Sequence, residues 1–287
     1  MPSELPPVSI PLCTPNIGGN ELAYVRDCLE SGWVSSVGAY VERFEREFAE
    51  MVGARHAVAV VNGTAALHVA LHVAGIRPDD QVIVPALTFI ATANAVRYCG
   101  AWPVFVDVEP EHLQIDPVAV AAYLEDDCVP GPRGPVDRRT GRRVAAIVPV
   151  DLLGHPADVE AIDQLAARHG LVVVEDATEA LGARRRGRPV GSEARLACFS
   201  FNGNKLITTG GGGMIVTDDP ALRRRAAYLT TQAKDDAVEF IHGEVGWNYR
   251  LTNVQAAIGC AQLEQQPAFV ARKRAIRQAY AEGLADL

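Results

Sequence analysis

The sequence predicts an α/β fold, with one largely parallel sheet and helices on both of its faces. Seven short apolar runs recur along the chain, rich in Val, Ile and Ala, without alternation of polar and apolar residues. Such runs mark strands buried on both faces. Segments with helical spacing and recognisable caps separate them, as in a doubly wound sheet. The composition agrees: 287 residues, 48% hydrophobic and 22% charged, supply one large core and are ordinary for a globular protein.

Along the chain, the run Ala57–Val61 leads into Asn62-Gly63-Thr64 and a helix over Thr64–Ala74, which Gly75 ends. Val82–Val84 follows, then Pro85-Ala86-Leu87-Thr88-Phe89. After Val104–Val106, Asp116-Pro117 pairs an N-cap residue with proline at the first helical position. Asp126–Arg143, rich in Pro, Gly and Arg, reads as an exposed loop. Then come the run Ala145–Val150, a helix over Asp158–Arg168 closed by Gly170, and the runs Leu171–Val174, Ala197–Phe201 and Met214–Val216. Ala268–Leu287 reads as helix and stops without a glycine cap or closing strand, which predicts a chain that continues or has been cut.

Several functional classes are excluded. A net charge of -8 disfavours sequence-independent nucleic-acid binding, which depends on Lys and Arg at phosphates. The first residues, MPSELPPVSIPLC, have no basic then apolar order of a secretion signal, and no run reaches membrane-spanning length. The expected location is the cytoplasm. Six cysteines lie far apart without a C-x-x-C, and no histidine pair has zinc-ligand spacing. The prediction is reduced core thiols and no metal. Arg184–Arg188 is expected in an exposed hairpin and Arg223–Arg225 on a solvated helix face. His242 is read as a structural hydrogen-bonder. His56, His68 and His72 are read as packing.

In open α/β sheets, ligands gather at the carboxyl ends of the strands. Asn62-Gly63-Thr64 stands at one such end. Its turn into a helix is either a plain N-cap or a phosphate cradle, with free amides and a hydroxyl. Glu175 and Asp176 end a second run. Asn202-Gly203-Asn204-Lys205 follows a third, before Thr208, Thr209 and Gly210–Gly213. Lys205 is either a solvated turn lysine or an amine that attacks a carbonyl. Phe89, past a fourth end, is either a core aromatic or a stacking platform. Together, cradle, carboxylate and lysine are the parts that pyridoxal phosphate requires: an anchor for the phosphate, a partner for the pyridine nitrogen and an amine for the aldehyde. G-x-G-x-x-G, P-loop, H-E-x-x-H and G-x-S-x-G patterns are absent.

On these residues the chain resembles the vitamin-B6-dependent sugar-nucleotide aminotransferases of DegT/StrS type. The matching stretches run in order: Gly32–Gly38 (GWVSSVG), VAVVNGTAALHVAL, VPALTFIATANAV, PVFVDV, VEDATEALGA, SFNGNKLITTGGGGM, GWNYRLTNVQAAIG and AQLE. The resemblance covers nearly the whole chain. It implies a fold-type-I aminotransferase large domain over residues 1–265. Residues 266–287 would begin a C-terminal small domain that is largely missing. SFNGNK, LTTQAK and HGEVGWNYRLTNVQAAIGCAQLE look most like one branch. Its members aminate C4 of a nucleotide-linked 4-keto-6-deoxy-2-acetamido sugar on the route to bacillosamine or legionaminic acid.

Residue roles follow from the resemblance. Lys205 would hold the cofactor as a Schiff base and shuttle a proton. Asp176 would pair with the pyridine nitrogen. Gly63, Thr64 and Ser200 would hold the phosphate, Phe89 would stack on the ring, and Glu179 would lie on the cofactor's hydroxyl side. Asn248 resembles the residue that reaches the neighbouring subunit's phosphate, implying a homodimer with shared sites. Ser35 and Ser36 match a loop near the substrate. L-Glutamate would be the amino donor and a nucleotide-linked keto sugar the acceptor. A dehydratase branch has His in place of the lysine, so Lys205 argues for transamination. Two positions depart from the pattern: Asp151 stands where His is usual, near the substrate side, and Thr178 where Ala is usual. The missing small domain leaves a second reading, a relative that binds cofactor without turnover.

Overall fold

The computed structural model describes residues 11, 13–236 and 238–285. Most of the leading segment and the last two residues lie outside that set. Seven strands form the central sheet: β1 (His56–Val60), β2 (Gln81–Pro85), β3 (Trp102–Val106), β4 (Val144–Ile147), β5 (Val172–Asp176), β6 (Leu196–Ser200) and β7 (Gly213–Thr217). Their spatial order is β1-β7-β6-β5-β4-β2-β3. Each of the seven apolar runs becomes one of these strands. The pairs from β6 across to β3 are parallel, and β7 is antiparallel to both of its neighbours. The antiparallel strand has a local cause. The loop from Phe201 to Gly212 that joins β6 to β7 holds no helix, so the chain turns back beside β6 instead of crossing over.

The strands bury alternate residues on opposite faces. Ala57 and Ala59 of β1 enter one core with Phe44, Phe48 and Ile162. Val58 and Val60 enter the other with Leu67, Leu71 and Val96. Helices cover both cores: α1 (Glu21–Ser31), α2 (Ala39–Val52), α3 (Gly63–Val73), α4 (Ile90–Tyr98), α5 (Pro117–Ala122), α6 (Val159–His169), α7 (Pro220–Thr230) and α8 (Asn253–Gly283). Caps fall where the sequence places them. Asn62, Asp116 and Asp158 accept backbone amides at the starts of α3, α5 and α6, and Gly170 ends α6 in the left-handed region. α8 starts with a Thr252–Gln255 capping box, and its buried residues stop at Gln266 although the helix continues past it.

One expectation needs correction. Asp126–Arg143 is not a plain exposed loop. Cys128 and Val129 pair with Val136 and Asp137, and Asp137 is buried. Its carboxylate accepts the Arg139 and Thr140 amides and the Tyr123 hydroxyl. A buried acid with that many donors organises a segment that composition alone describes as loop. The arginine-rich Arg184–Pro189 stretch is the expected hairpin. All six cysteines are free thiols, and five are buried. Among the described residues, no helix is long and apolar enough to cross a membrane, and no cluster has the makings of a metal site.

Candidate active site

The site lies where β1, β5 and β6 end. Lys205 stands on the loop after β6, which is pinched shut at its base. The Phe201 amide donates to the Gly212 carbonyl at 2.8 Å, and the Phe201 carbonyl accepts the Thr209 amide at 3.0 Å. Phe201 is fixed between Phe44 and Phe48, with ring centroids at 5.1 and 5.3 Å. Aromatic packing thus anchors the loop that carries the lysine. Lys205 Nζ is 3.3 Å from Glu179 Oε1, and its side chain is only 18% exposed. The solvated-turn alternative is therefore set aside.

Asp176 ends β5 and is buried. Its Oδ2 accepts the Thr92 hydroxyl at 2.7 Å and its Oδ1 the Thr178 amide at 3.2 Å. Burial pushes this carboxyl up, and the Thr92 and Thr178 bonds and the Lys205 charge pull it down. Each oxygen keeps a lone pair for a further donor. Gly63 opens α3 directly against Ser200: a Cβ on Gly63 would stand 2.9 Å from Ser200 Cβ and 3.1 Å from Thr178 Cγ2. Asn62 is the N-cap, its side chain accepting the Ala65 amide at 2.8 Å. The N-cap reading of this turn is observed, and a capped helix start is compatible with the cradle reading because it still presents free amides to an anion. Thr64 and Tyr249 line a cleft of about 290 Å³ beside it.

Phe89 is 68% exposed at the start of α4, so it is not a core aromatic. The structure thus gathers Lys205, Glu179, Asp176, Ser200 and Gly63, with Thr64 on the neighbouring cleft. Among the described residues of one chain, no hydrogen bond joins Ser35, Ser36 or Asn248 to Lys205 or Asp176. The Ser35 carbonyl instead accepts the Asn253 amide at 2.6 Å. Asn248 is exposed and bridges to Thr231. His242 Nδ1 contacts the Gln232 carbonyl at 2.7 Å, as a structural hydrogen-bonder should.

Three contributors were missed by the sequence reading. Thr92 lies four residues after Thr88 in VPALTFIATANAV, and the two hydroxyls meet at 3.0 Å across the start of α4; the threonine pair was the available signal. Asn253 fastens the Gly32–Gly38 loop to α8 through the Trp33 carbonyl and the Tyr40 amide. The Leu153 amide holds Glu179 Oε2 at 2.8 Å, and nothing in the sequence marks it.

Asp151 is fully buried, with Oδ1 on the Ala157 amide at 2.8 Å. Asp151 Oδ2 and Glu175 Oε2 find no ordinary donor. The two carboxyls are neighbours, and a carboxyl that keeps its proton has a donor that an ionised one lacks. Burial pushes Asp151 up to about 7 and Glu175 well above its usual range. An unfolded carboxyl loses its proton near pH 4, roughly. From there up to about pH 7 for Asp151, and higher still for Glu175, unfolding releases protons, so rising pH destabilises the fold across that window. Asp151→Asn, whose amide donates to Glu175, is expected to flatten this fall; melting temperatures from pH 5 to 9 check it.

The model of the DegT/DnrJ/EryC1/StrS aminotransferase family matches residues 15–287. The chain belongs to this family. It is 45% identical to a GDP-perosamine synthase of Caulobacter vibrioides, over 99% of this chain and 72% of the relative. Among solved structures it resembles S. venezuelae DesV in complex with a ketimine intermediate: TM-score 0.83, 38% identity, 93% of this chain and 67% of that one. NtdA of Bacillus subtilis, with bound cofactor PMP, matches with TM-score 0.81 and 29% identity, over 93% and 57%. As a DegT-family member the chain is a sugar aminotransferase dependent on pyridoxal phosphate. The residues present fit that cofactor. A buried carboxylate with open lone pairs, a helix start that excludes a Cβ and a half-buried lysine converge at the strand ends.

Proposed function

We propose that the chain moves the amino group of L-glutamate to C4 of a nucleotide-linked 4-keto-6-deoxy sugar. One observation carries the reading: Lys205, Glu179 and Asp176 meet beside the start of α3. Pyridoxal phosphate, when bound, supplies an electron sink for the bond-making at carbon. Asp176 holds the pyridine nitrogen in its charged form. Gly63, Thr64 and Ser200 hold the phosphate, and Phe89 covers a ring face. Lys205 would hold the cofactor through its amine between turnovers, and that amine, once freed, would take the proton from the α-carbon of glutamate. The same residues act in reverse order on the sugar ketone.

The acceptor is read as a GDP-linked sugar, because the relative just described is named for a GDP-linked product. The 2-acetamido sugar of the bacillosamine or legionaminic acid branch is the second reading, supported by SFNGNK and LTTQAK. Ser35 and Ser36 contact the acceptor. The working form is a cytoplasmic homodimer in which the exposed Asn248 reaches the phosphate of the other subunit. Residues 1–265 make the large domain, and the end of α8 from residue 266, exposed or half-buried beyond Gln266, begins a second one.

The test is the visible spectrum of the protein with pyridoxal phosphate, before and after L-glutamate, followed by GDP- and UDP-linked 4-keto-6-deoxy acceptors. A band that glutamate bleaches, restored by the GDP-linked acceptor with the product mass of an amine, is the expected result. Restoration by the UDP-linked 2-acetamido sugar alone moves the assignment to that branch. A band that ignores glutamate means cofactor binding without turnover and overturns the proposal.

A further inference from the structure

We propose that the turn from Asp151 to His155 is a positioning element for Lys205: Asp151 anchors the turn, the Leu153 amide aims Glu179, and Glu179 holds the lysine ammonium. The inference rests on Lys205 being the cofactor lysine. Leu153 stands at φ 56° and ψ 21°, in the left-handed region that leucine avoids. Its side chain is 82% exposed, so packing does not compensate the strain. Hydrogen bonds hold the conformation instead. The Leu152 amide donates to Gln114 Oε1 at 3.1 Å, and Gln114 Nε2 returns to the Leu152 carbonyl at 3.3 Å. The Gly154 and His155 amides donate within the turn, to the Asp151 and Leu152 carbonyls at 3.2 and 3.1 Å. The Asp151 amide donates to the Asp176 carbonyl at 3.0 Å, and Asp151 Oδ1 takes the Ala157 amide at 2.8 Å.

One amide of the turn is left for another purpose. Leu153 N donates to Glu179 Oε2 at 2.8 Å, and the other oxygen of that carboxylate is 3.3 Å from Lys205 Nζ. The turn also lies flat on this segment: a Cβ on Gly154 would stand 3.2 Å from the Glu179 carbonyl oxygen. Strained backbone held by many bonds and aimed at a functional group is where strain is tolerated. The purpose follows from the reaction. A transaminase lysine is released and recaptured in every cycle, and a free lysine chain has many rotamers. A carboxylate fixed from behind keeps its ammonium in reach. The ionisable groups around the turn are Glu175, Asp176, Glu179 and Lys205, with His112 stacked on His155 at 4.1 Å and Glu109 and Glu111 beside that pair.

The experiment is a pH titration of the visible band of the protein loaded with pyridoxal phosphate, beside the melting temperature. Glu179→Gln removes a negative charge next to the lysine nitrogen and is expected to lower the midpoint about tenfold in proton affinity. Asp151→Ala frees the turn and is expected to move the midpoint in the same direction. Asp151→Asn, which keeps an acceptor for Ala157, is expected to leave it in place. Asp151→Ala added to Glu179→Gln is expected to give no further shift. A lowered melting temperature with an unmoved midpoint in Asp151→Ala overturns the inference, as does an equal shift in Asp151→Asn, which would mean charge and not geometry. Gln114→Ala loosens the turn from its other side and stands in if Asp151→Ala does not fold; an unmoved midpoint there is equally decisive. If Lys205→Ala loses the band while Asp151→Ala leaves the midpoint unmoved, the function stands and the inference falls. If the band persists in Lys205→Ala, both fall.

Discussion

Asp176→Asn is expected to slow amination by about a thousandfold, the scale of losing a preorganised charge partner at a developing charge, while the protein stays folded. The fold survives because the substitution leaves no polar group stranded. Asn Oδ1 still accepts the Thr178 amide, now at 3.2 Å. The Thr92 hydroxyl, which donates to Asp176 Oδ2 at 2.7 Å, rotates to accept from the new amide nitrogen. Burial already disfavours the Asp176 charge, so removing it costs the fold nothing. What is lost is the anion that keeps the pyridine nitrogen protonated, and an amide does not replace it. Single-turnover amination and thermal melting, measured together, separate the two effects. A loss below tenfold would remove Asp176 from its role. A large loss with a collapsed melting temperature would make it a structural residue.

The sheet was legible because its strands are buried on both faces, and double burial writes itself as unbroken apolar runs. The caps at Asn62, Asp116 and Asp158 were legible for a similar reason, since the side chain that does the work is local. Features that depend on a distant partner were not legible. The reversed direction of β7 goes with a connection that holds no helix and not with the residues of the strand. Asp137 turns Asp126–Arg143 into an ordered segment only because Tyr123 and two amides meet it. Asp151 was noticed as an unusual residue, but its inward direction depends on Ala157 and Glu175. Leu153 is the limiting case. Its contribution comes from a main-chain amide, which every residue except proline has, and only the backbone angle makes it special.

Gly210–Gly213 is an unbroken glycine run in the sequence, yet its members are expected to respond very differently to a methyl group. A Cβ on Gly211 would meet nothing closer than 3.8 Å, ordinary contact. A Cβ on Gly213 would stand 2.5 Å from the carbonyl carbon and oxygen of Asn62 and 2.8 Å from the Gly63 nitrogen. All three are backbone atoms, so no side chain can swing aside. Gly213 has no room to retreat either, because it pairs with Val60 on one side and Ser200 on the other. The methyl must therefore push the Asn62–Gly63 turn, the same turn that sets the amides of α3 against Ser200. Gly213→Ala is expected to destabilise the protein by about 1–3 kcal/mol, the usual cost of overpacking. The displaced amides are expected to weaken pyridoxal phosphate binding about a hundredfold, or roughly 2.8 kcal/mol. Gly211→Ala is expected to change neither. Equal behaviour of the two variants, in melting and in cofactor titration, would mean that the glycines serve loop mobility. A difference confined to Gly213 would mean that the sheet needs a residue without a side chain where β7 passes under the phosphate turn.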